Sequence, residues 1–157
     1  MYRMDTGLGI GDLAPGFSLF NELGEPVKLS GFRGKGNVLL AFYRGEADKY
    51  STRWLEKLRD DYLEFRGLDT EVLAISADDR QKALDTAGRY SLPFRLLSDP
   101  GRRVIREYRV YDDFTNTATS AAYIVDRQGK IRYKYVSGAP PDLPSDTVII
   151  EQLRYLE

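Results

Sequence analysis

Apolar and polar positions change period several times along the chain, and each change marks an element. Residues 38–43 (VLLAFY) form an unbroken apolar run of strand length, the pattern of a strand covered on both faces and therefore central in an α/β sheet. Residues 44–49 (RGEADK) break the run. From Tyr50 onward Ser51, Leu55, Leu58, Tyr62 and Phe65 recur at steps of three and four. That spacing predicts one long helix with this face turned to the sheet, so Ser51 points inward. Residues 71–76 (EVLAIS) are the next buried strand, and the strand, helix, strand order implies a right-handed parallel crossover.

The remaining elements follow the same logic. Residues 17–20 and 26–29 read as short strands about the turn Glu22-Leu23-Gly24-Glu25, a small N-terminal hairpin. Asp78 with Gln81 three residues on has capping-box spacing, and the helix it starts turns Ala83, Leu84, Ala87 and Tyr90 inward before Leu92-Pro93 ends it. Residues 94–97 form a short strand. Asp99-Pro100-Gly101 then turns into a helix with Val104, Ile105 and Tyr108 on one side and Arg102, Arg106 and Arg109 on the other. Residues 111–119 are irregular. Residues 121–125 and 130–136 pair as an antiparallel hairpin. After a proline-rich loop at 138–144, Ser145 begins a last helix with Ile149, Ile150, Leu153 and Leu156 inward. Periodicity alone thus predicts a three-layer α/β sandwich in a single domain over residues 1–157, with residues 1–10 a loosely held tail.

Composition narrows the chemistry. The net charge of −1 over 157 residues argues against a nucleic-acid or membrane-surface role, since both usually need a basic excess. No apolar run approaches the roughly 18 residues of a spanning helix, and the first residues lack the apolar core of a signal peptide, so the cytoplasm is the expected location. The chain has 0 Cys and 0 His. That removes thiolate nucleophiles, disulfides, zinc-thiolate sites, imidazole ligands and the Ser-His-Asp triad. Oxygen groups, Lys and Arg remain. Asp60-Asp61, Asp78-Asp79 and Asp112-Asp113 are adjacent pairs that diverge rather than converge on a cation, and none has calcium-loop spacing. No metal and no cofactor are expected. The arginines at 102, 103, 106 and 109 read as a solvated face.

The junction between the apolar run and the long helix is the place for a site, because orphan N–H groups and the positive end of the helix dipole converge there. Residues 42–51 read FYRGEADKYS. They resemble the FYPxxxTxxC or FYRGxxCxxC pattern of peroxiredoxins, the alkyl hydroperoxide reductase and thiol-specific antioxidant family of the thioredoxin superfamily, in particular the bacterioferritin-comigratory type. Residues 11–17 (GDLAPGF) are similar to that family's GDxAPxF opening, 92–100 (LPFRLLSDP) to LPFPLLSDP, and 121–131 (AAYIVDRQGKI) to its ATFVIDxxGxI hairpin. The resemblance covers nearly the whole chain. It implies a thioredoxin-like fold with a mixed central sheet.

The resemblance also shows what is missing. Asp48 stands where the family has its Thr or first Cys, Ser51 where it has the peroxidatic or second Cys, and Ser120 where it has a thiolate-supporting Arg or a cis-Pro. No residue is expected to be catalytic. Asp48 and Ser51 read either as a remodelled site or as helix caps, with capping favoured by their residue types. Tyr43, Arg44, Tyr50 and Ser120 are candidate lining for one hollow, with Arg44 the anchor for a small anion. The expected function is a catalytically inactive relative retained for binding or assembly, with a protein partner or a small anion at the former site, as a monomer or homodimer. The alternative is a thiol-dependent antioxidant oxidoreductase whose cysteines have been lost or replaced in this chain.

Overall fold

The computed structural model describes residues 8–156. Strands β1 (Ser18–Asn21) and β2 (Pro26–Lys28) make the expected N-terminal hairpin, and a 3-10 turn over Leu29–Phe32 leads onward. Strand β3 (Asn37–Phe42) holds the apolar run, and all of its residues are buried. After a loop come α1 (Lys49–Asp60), α2 (Tyr62–Gly67), β4 (Thr70–Ser76), α3 (Arg80–Arg89) and β5 (Arg95–Ser98). The chain continues through α4 (Arg103–Glu107), a two-stranded ribbon of β6 (Tyr111–Asp112) and β7 (Thr117–Ala118), the hairpin β8 (Ala121–Val125) and β9 (Ile131–Val136), and α5 (Asp146–Arg154).

Seven strands form one mixed sheet in the order β2-β1-β5-β4-β3-β8-β9. The pairs β3–β4 and β4–β5 are parallel; β1–β5, β3–β8 and β8–β9 are antiparallel. Alternation along β3 explains why its run has no polar face. Val38, Leu40 and Phe42 enter one core with Leu73, Ile75, Val104, Ile105, Tyr108 and Tyr123. Leu39, Ala41 and Tyr43 enter the other, with Trp54, Leu55, Leu58, Phe65, Ala83 and Ile149. Helices α1, α3 and α5 therefore cover one face of the sheet and α4 the other, which makes the three expected layers around a mixed sheet.

Several local expectations are corrected. The long helix is two helices: at Asp61 the backbone leaves helical geometry (φ −97°, ψ 4°), which leaves Phe65 in the core while the Tyr62 hydroxyl donates to Glu71 at 2.9 Å. Asp79, not Asp78, caps α3, accepting from the Lys82 N–H at 2.9 Å. Leu84 is exposed, and Thr86 is buried instead. The stretch 111–119 contains the β6–β7 ribbon. Helix α4 starts at Arg102 in the left-handed region without a side-chain cap of its own; the buried Asp99 carboxylate stands in, accepting from the Ile105 N–H at 2.8 Å.

Of the expected tail, residues 1–7 lie outside the described residues. Leu8 is buried, its carbonyl accepts from Lys134 Nζ at 2.8 Å, and Gly11 N–H donates to the Ile131 carbonyl at 2.7 Å. Residues 8–14 thus run along β9 and bond part of its outer edge, where Leu13 forms a bridge with Lys130.

Because β3 sits centrally and is covered on both sides, truncating it leaves a cavity that neighbouring strands cannot fill. Leu40→Ala is expected to cost about 2–5 kcal/mol, measured as a shift in the urea midpoint at constant slope. A loss under about 1 kcal/mol would show that this layer repacks freely.

Candidate functional site

Parallel pairing of β3 with β4 brings their carboxyl ends together, and the loop after β3 crosses this edge before entering α1. Gly45 lies at φ +134°, and a Cβ there would meet Asp78 Oδ1 at 2.8 Å. Only glycine allows both the conformation and the approach. Asp78 Oδ2 accepts from the Glu46 N–H at 2.8 Å, while the Asp78 N–H donates to Ser76 Oγ. Asp78 is thus a fastener for the loop rather than a helix cap. Burial pushes its carboxyl above the usual carboxylate range, and the Glu46 N–H pulls the other way.

The start of α1 is closed by its own side chains. Asp48 is the N-cap, in extended geometry (φ −97°, ψ 114°). Its Oδ2 accepts from the Ser51 N–H at 3.1 Å and from the Ser51 hydroxyl at 2.8 Å. Ser51, fully buried, accepts in turn from the Arg44 N–H at 2.9 Å. The Ser51 hydroxyl therefore gives its one proton to a carboxylate and receives a backbone donor. Attack by Ser51 would need a base stronger than a carboxylate to take that proton, and the Asp48 carboxylate fills the space an anion would use.

Arg44 is also engaged. Its Nη1 lies 2.9 Å from Asp112 Oδ2, with side-chain exposures of 11% and 23%. The hydrogen bond from Arg44 holds the Asp112 carboxyl below the usual range, and Asp112 Oδ1 accepts from the Phe114 N–H at 3.0 Å. The expected anion anchor is thus already paired with a carboxylate.

Tyr43 does not face a hollow. It is fully buried in the α1-side core, its hydroxyl has no hydrogen-bond partner of ordinary geometry, and burial drives its pKa up. Tyr50 is half-buried in the first turn of α1. Ser120 is buried just before β8. Because Ala121 pairs with Phe42, Ser120 stands at the end of β3, and its carbonyl accepts from the Ser137 N–H at 2.9 Å.

The structure therefore joins Arg44, Asp48 and Ser51 directly and sets Ser120 on the neighbouring strand end. It adds two residues that sequence reasoning missed. Asp78 left a trace, since two adjacent aspartates competed for one cap. Asp112 stood out only as half of an adjacent acidic pair, and nothing linked it to Arg44, which is 68 positions away. Among the described residues, no group of three or more acidic side chains converges as a cation site, and no helix is long and apolar enough to cross a membrane.

Residues 10–134 match the AhpC/TSA family. Peroxiredoxin Q, chloroplastic, of Triticum aestivum is 35% identical over 133 residues, which are 84% of this chain and 61% of the relative. The chain thus spans about three fifths of that protein's length. Peroxiredoxin Q, chloroplastic, of Sedum lineare is 33% identical over 140 residues, 88% of this chain and 75% of the relative. Among solved structures, peroxidoxin BcpB from Mycobacterium tuberculosis superposes with a TM-score of 0.85 at 24% identity, covering 94% of this chain and 97% of that one. The reduced 2-Cys peroxiredoxin of Plasmodium vivax gives 0.84 at 22%, covering 94% and 81%. The fold is therefore thioredoxin-like, as the sequence motifs imply.

Removing the cap with Asp48→Ala is expected to cost about 0.5–2 kcal/mol. Ser51→Ala leaves the Arg44 N–H unpaired and costs roughly 1–3 kcal/mol. The two are expected to be strongly non-additive in a double-mutant cycle, since both break one circuit; additive losses would show that the circuit does not act as a unit. Asp112, whose folded pKa is lowered, contributes stability above its unfolded pKa of about 3.9, and that contribution fades as pH falls through the lower folded value. The penalty for Asp112→Asn, roughly 1 kcal/mol for a partly buried pair at the surface, should therefore shrink between about pH 6 and about pH 3 in denaturation curves.

Proposed function

This chain belongs to the AhpC/TSA family, and we propose that it is a catalytically inactive member retained for binding or assembly, its aspartate-capped Ser51 standing where the pattern it resembles has the peroxidatic or second cysteine. The observation that carries this reading is the saturated Ser51 hydroxyl, tied to Asp48 and to the Arg44 N–H. Peroxide reduction by the family's route needs a sulfur atom that becomes a sulfenic acid, and the chain has no cysteine.

With the helix N-terminus capped and Arg44 paired, a protein partner fits the site's rim better than a small anion does. The β6–β7 ribbon supports this. It carries Asp112, the counter-ion of Arg44, and beside it Phe114, which is 97% exposed. In this reading Phe114, exposed beside the ion-paired rim, is the aromatic anchor that the partner covers.

Metal-free protein supplied with hydrogen peroxide and a thiol reductant is expected to consume peroxide no faster than buffer; steady turnover would overturn the reading. The backbone frame can be tested separately. In Ser51→Cys alone, the Asp48 carboxylate opposes formation of the thiolate, and the protein should react slowly. Asp48→Thr with Ser51→Cys and Ser120→Arg removes that charge and adds a cation, and sulfenic-acid trapping should then be at least about tenfold faster, equivalent to one pKa unit. A folded triple variant no faster than Ser51→Cys would show that the loop, and not only the side chains, has left the catalytic geometry.

A further inference from the structure

A second unusual carboxyl lies about one helical turn beyond Ser51, on the far side of Trp54. Asp146, the first residue of α5, is 3% exposed. Its Oδ1 accepts from Trp54 Nε1 at 3.1 Å, while its buried Oδ2 has no donor. A buried carboxylate oxygen without a donor is costly unless it carries a proton. The group that faces it is another carboxyl, that of Asp61 at the break between α1 and α2. Lys57 Nζ lies 3.5 Å from Asp61 Oδ2 on the outer side.

A cavity of about 240 Å³ adjoins the pair, lined by Arg53, Trp54, Lys57, Leu143, Pro144 and the first residues of α5. The charged neighbours are therefore Arg53 and Lys57 from α1 and Asp61 from the helix junction. The preceding loop contributes apolar Leu143 and Pro144, and the Ser145 cap and Thr147 add no charge.

We propose that Asp61 and Asp146 share one proton, which Asp146 Oδ2 donates to the Asp61 carboxylate, and that this bond fastens the start of α5 to the α1–α2 junction. When the proton leaves, a half-buried and a buried carboxylate face each other, and the inner one keeps the Trp54 N–H as its donor. The start of α5 and the loop before it then loosen and the cavity opens.

The titration falls in an accessible window. Burial first, and the hydrogen bond with Asp61 second, raise Asp146 to about 7, against the pull of Trp54 and Lys57. Since the unfolded carboxyl releases its proton near about 3.9, the folded chain holds one proton more than the unfolded chain between that pH and about 7. Stability therefore falls as pH rises through this window. Any partner that requires α5 docked should bind better on the acid side.

Trp54 is the chain's one tryptophan, so its fluorescence reports the bond directly. Wild-type emission is expected to change with a midpoint within about one unit of pH 7, and Tm to fall by roughly 3–8 °C from about pH 5.5 to about pH 8.5. Asp146→Asn should flatten the emission change and remove most of the Tm slope. Asp61→Asn should move the emission midpoint down by about a unit or more, because a neighbouring negative charge is gone. The proposal is overturned by a wild-type emission that stays constant across this range, or by a transition that persists unchanged in Asp146→Asn. Should Asp146→Asn fail to fold, an unmoved midpoint in Asp61→Asn overturns it equally.

Discussion

The Arg44 and Ser51 amides lie where the chain leaves β3 and enters α1, and Ser51 is fully buried, so little water is available to satisfy them. They find acceptors within the chain instead. This constraint shapes the whole carboxyl edge of the sheet. In a chain with a thiolate at this place, the same amides would stabilise the sulfur anion. Here the Asp48 side chain accepts from the Ser51 N–H and hydroxyl, and Ser51 passes the connection on to the Arg44 N–H. The arrangement is stable because it is closed.

The surrounding charges are balanced locally in the same way. Asp112 reaches Arg44 from a ribbon far along the chain, Asp78 holds the backbone of residue 46, and buried Glu22 takes the Leu96 N–H at 3.1 Å with Arg95 alongside at 3.3 Å. None of these pairs need contribute much net stability, since desolvation offsets most of the attraction. Their effect is to set geometry. The loop from 44 to 48 is held by Asp78 and by the Ser51 hydroxyl, so it has little freedom to open as a binding pocket.

Helix α1 connects two polar centres of opposite character. At its N-terminus Asp48 and Ser51 form a saturated circuit; one turn later, Trp54 reaches a carboxyl whose second oxygen has no donor. In the first, the Ser51 N–H, the Ser51 hydroxyl and the Arg44 N–H each have an acceptor. The second is responsive because two acids compete for one proton in a place with little water. A chain without histidine can thus still titrate near neutrality, provided burial does to an aspartate what imidazole does unaided.

Much of this was legible in the residues themselves. The run 38–43 announced a central strand because no polar side chain interrupts its alternation. The period of Leu55, Leu58 and Phe65 placed Ser51 inward, and the motif match located Asp48, Ser51 and Ser120 at the edge of the sheet. Local patterns carry such information because burial on a strand or helix face is a short-range demand on residue type. What they could not carry was which partner answers each polar group. Whether Asp78 or Asp79 caps α3, whether Arg44 is free or bound to Asp112, and whether Trp54 meets Asp146 all depend on segments tens of residues apart. A hydrogen bond or ion pair leaves no period in the sequence, so only the folded chain, by bringing those segments within about 3 Å of each other, decided them.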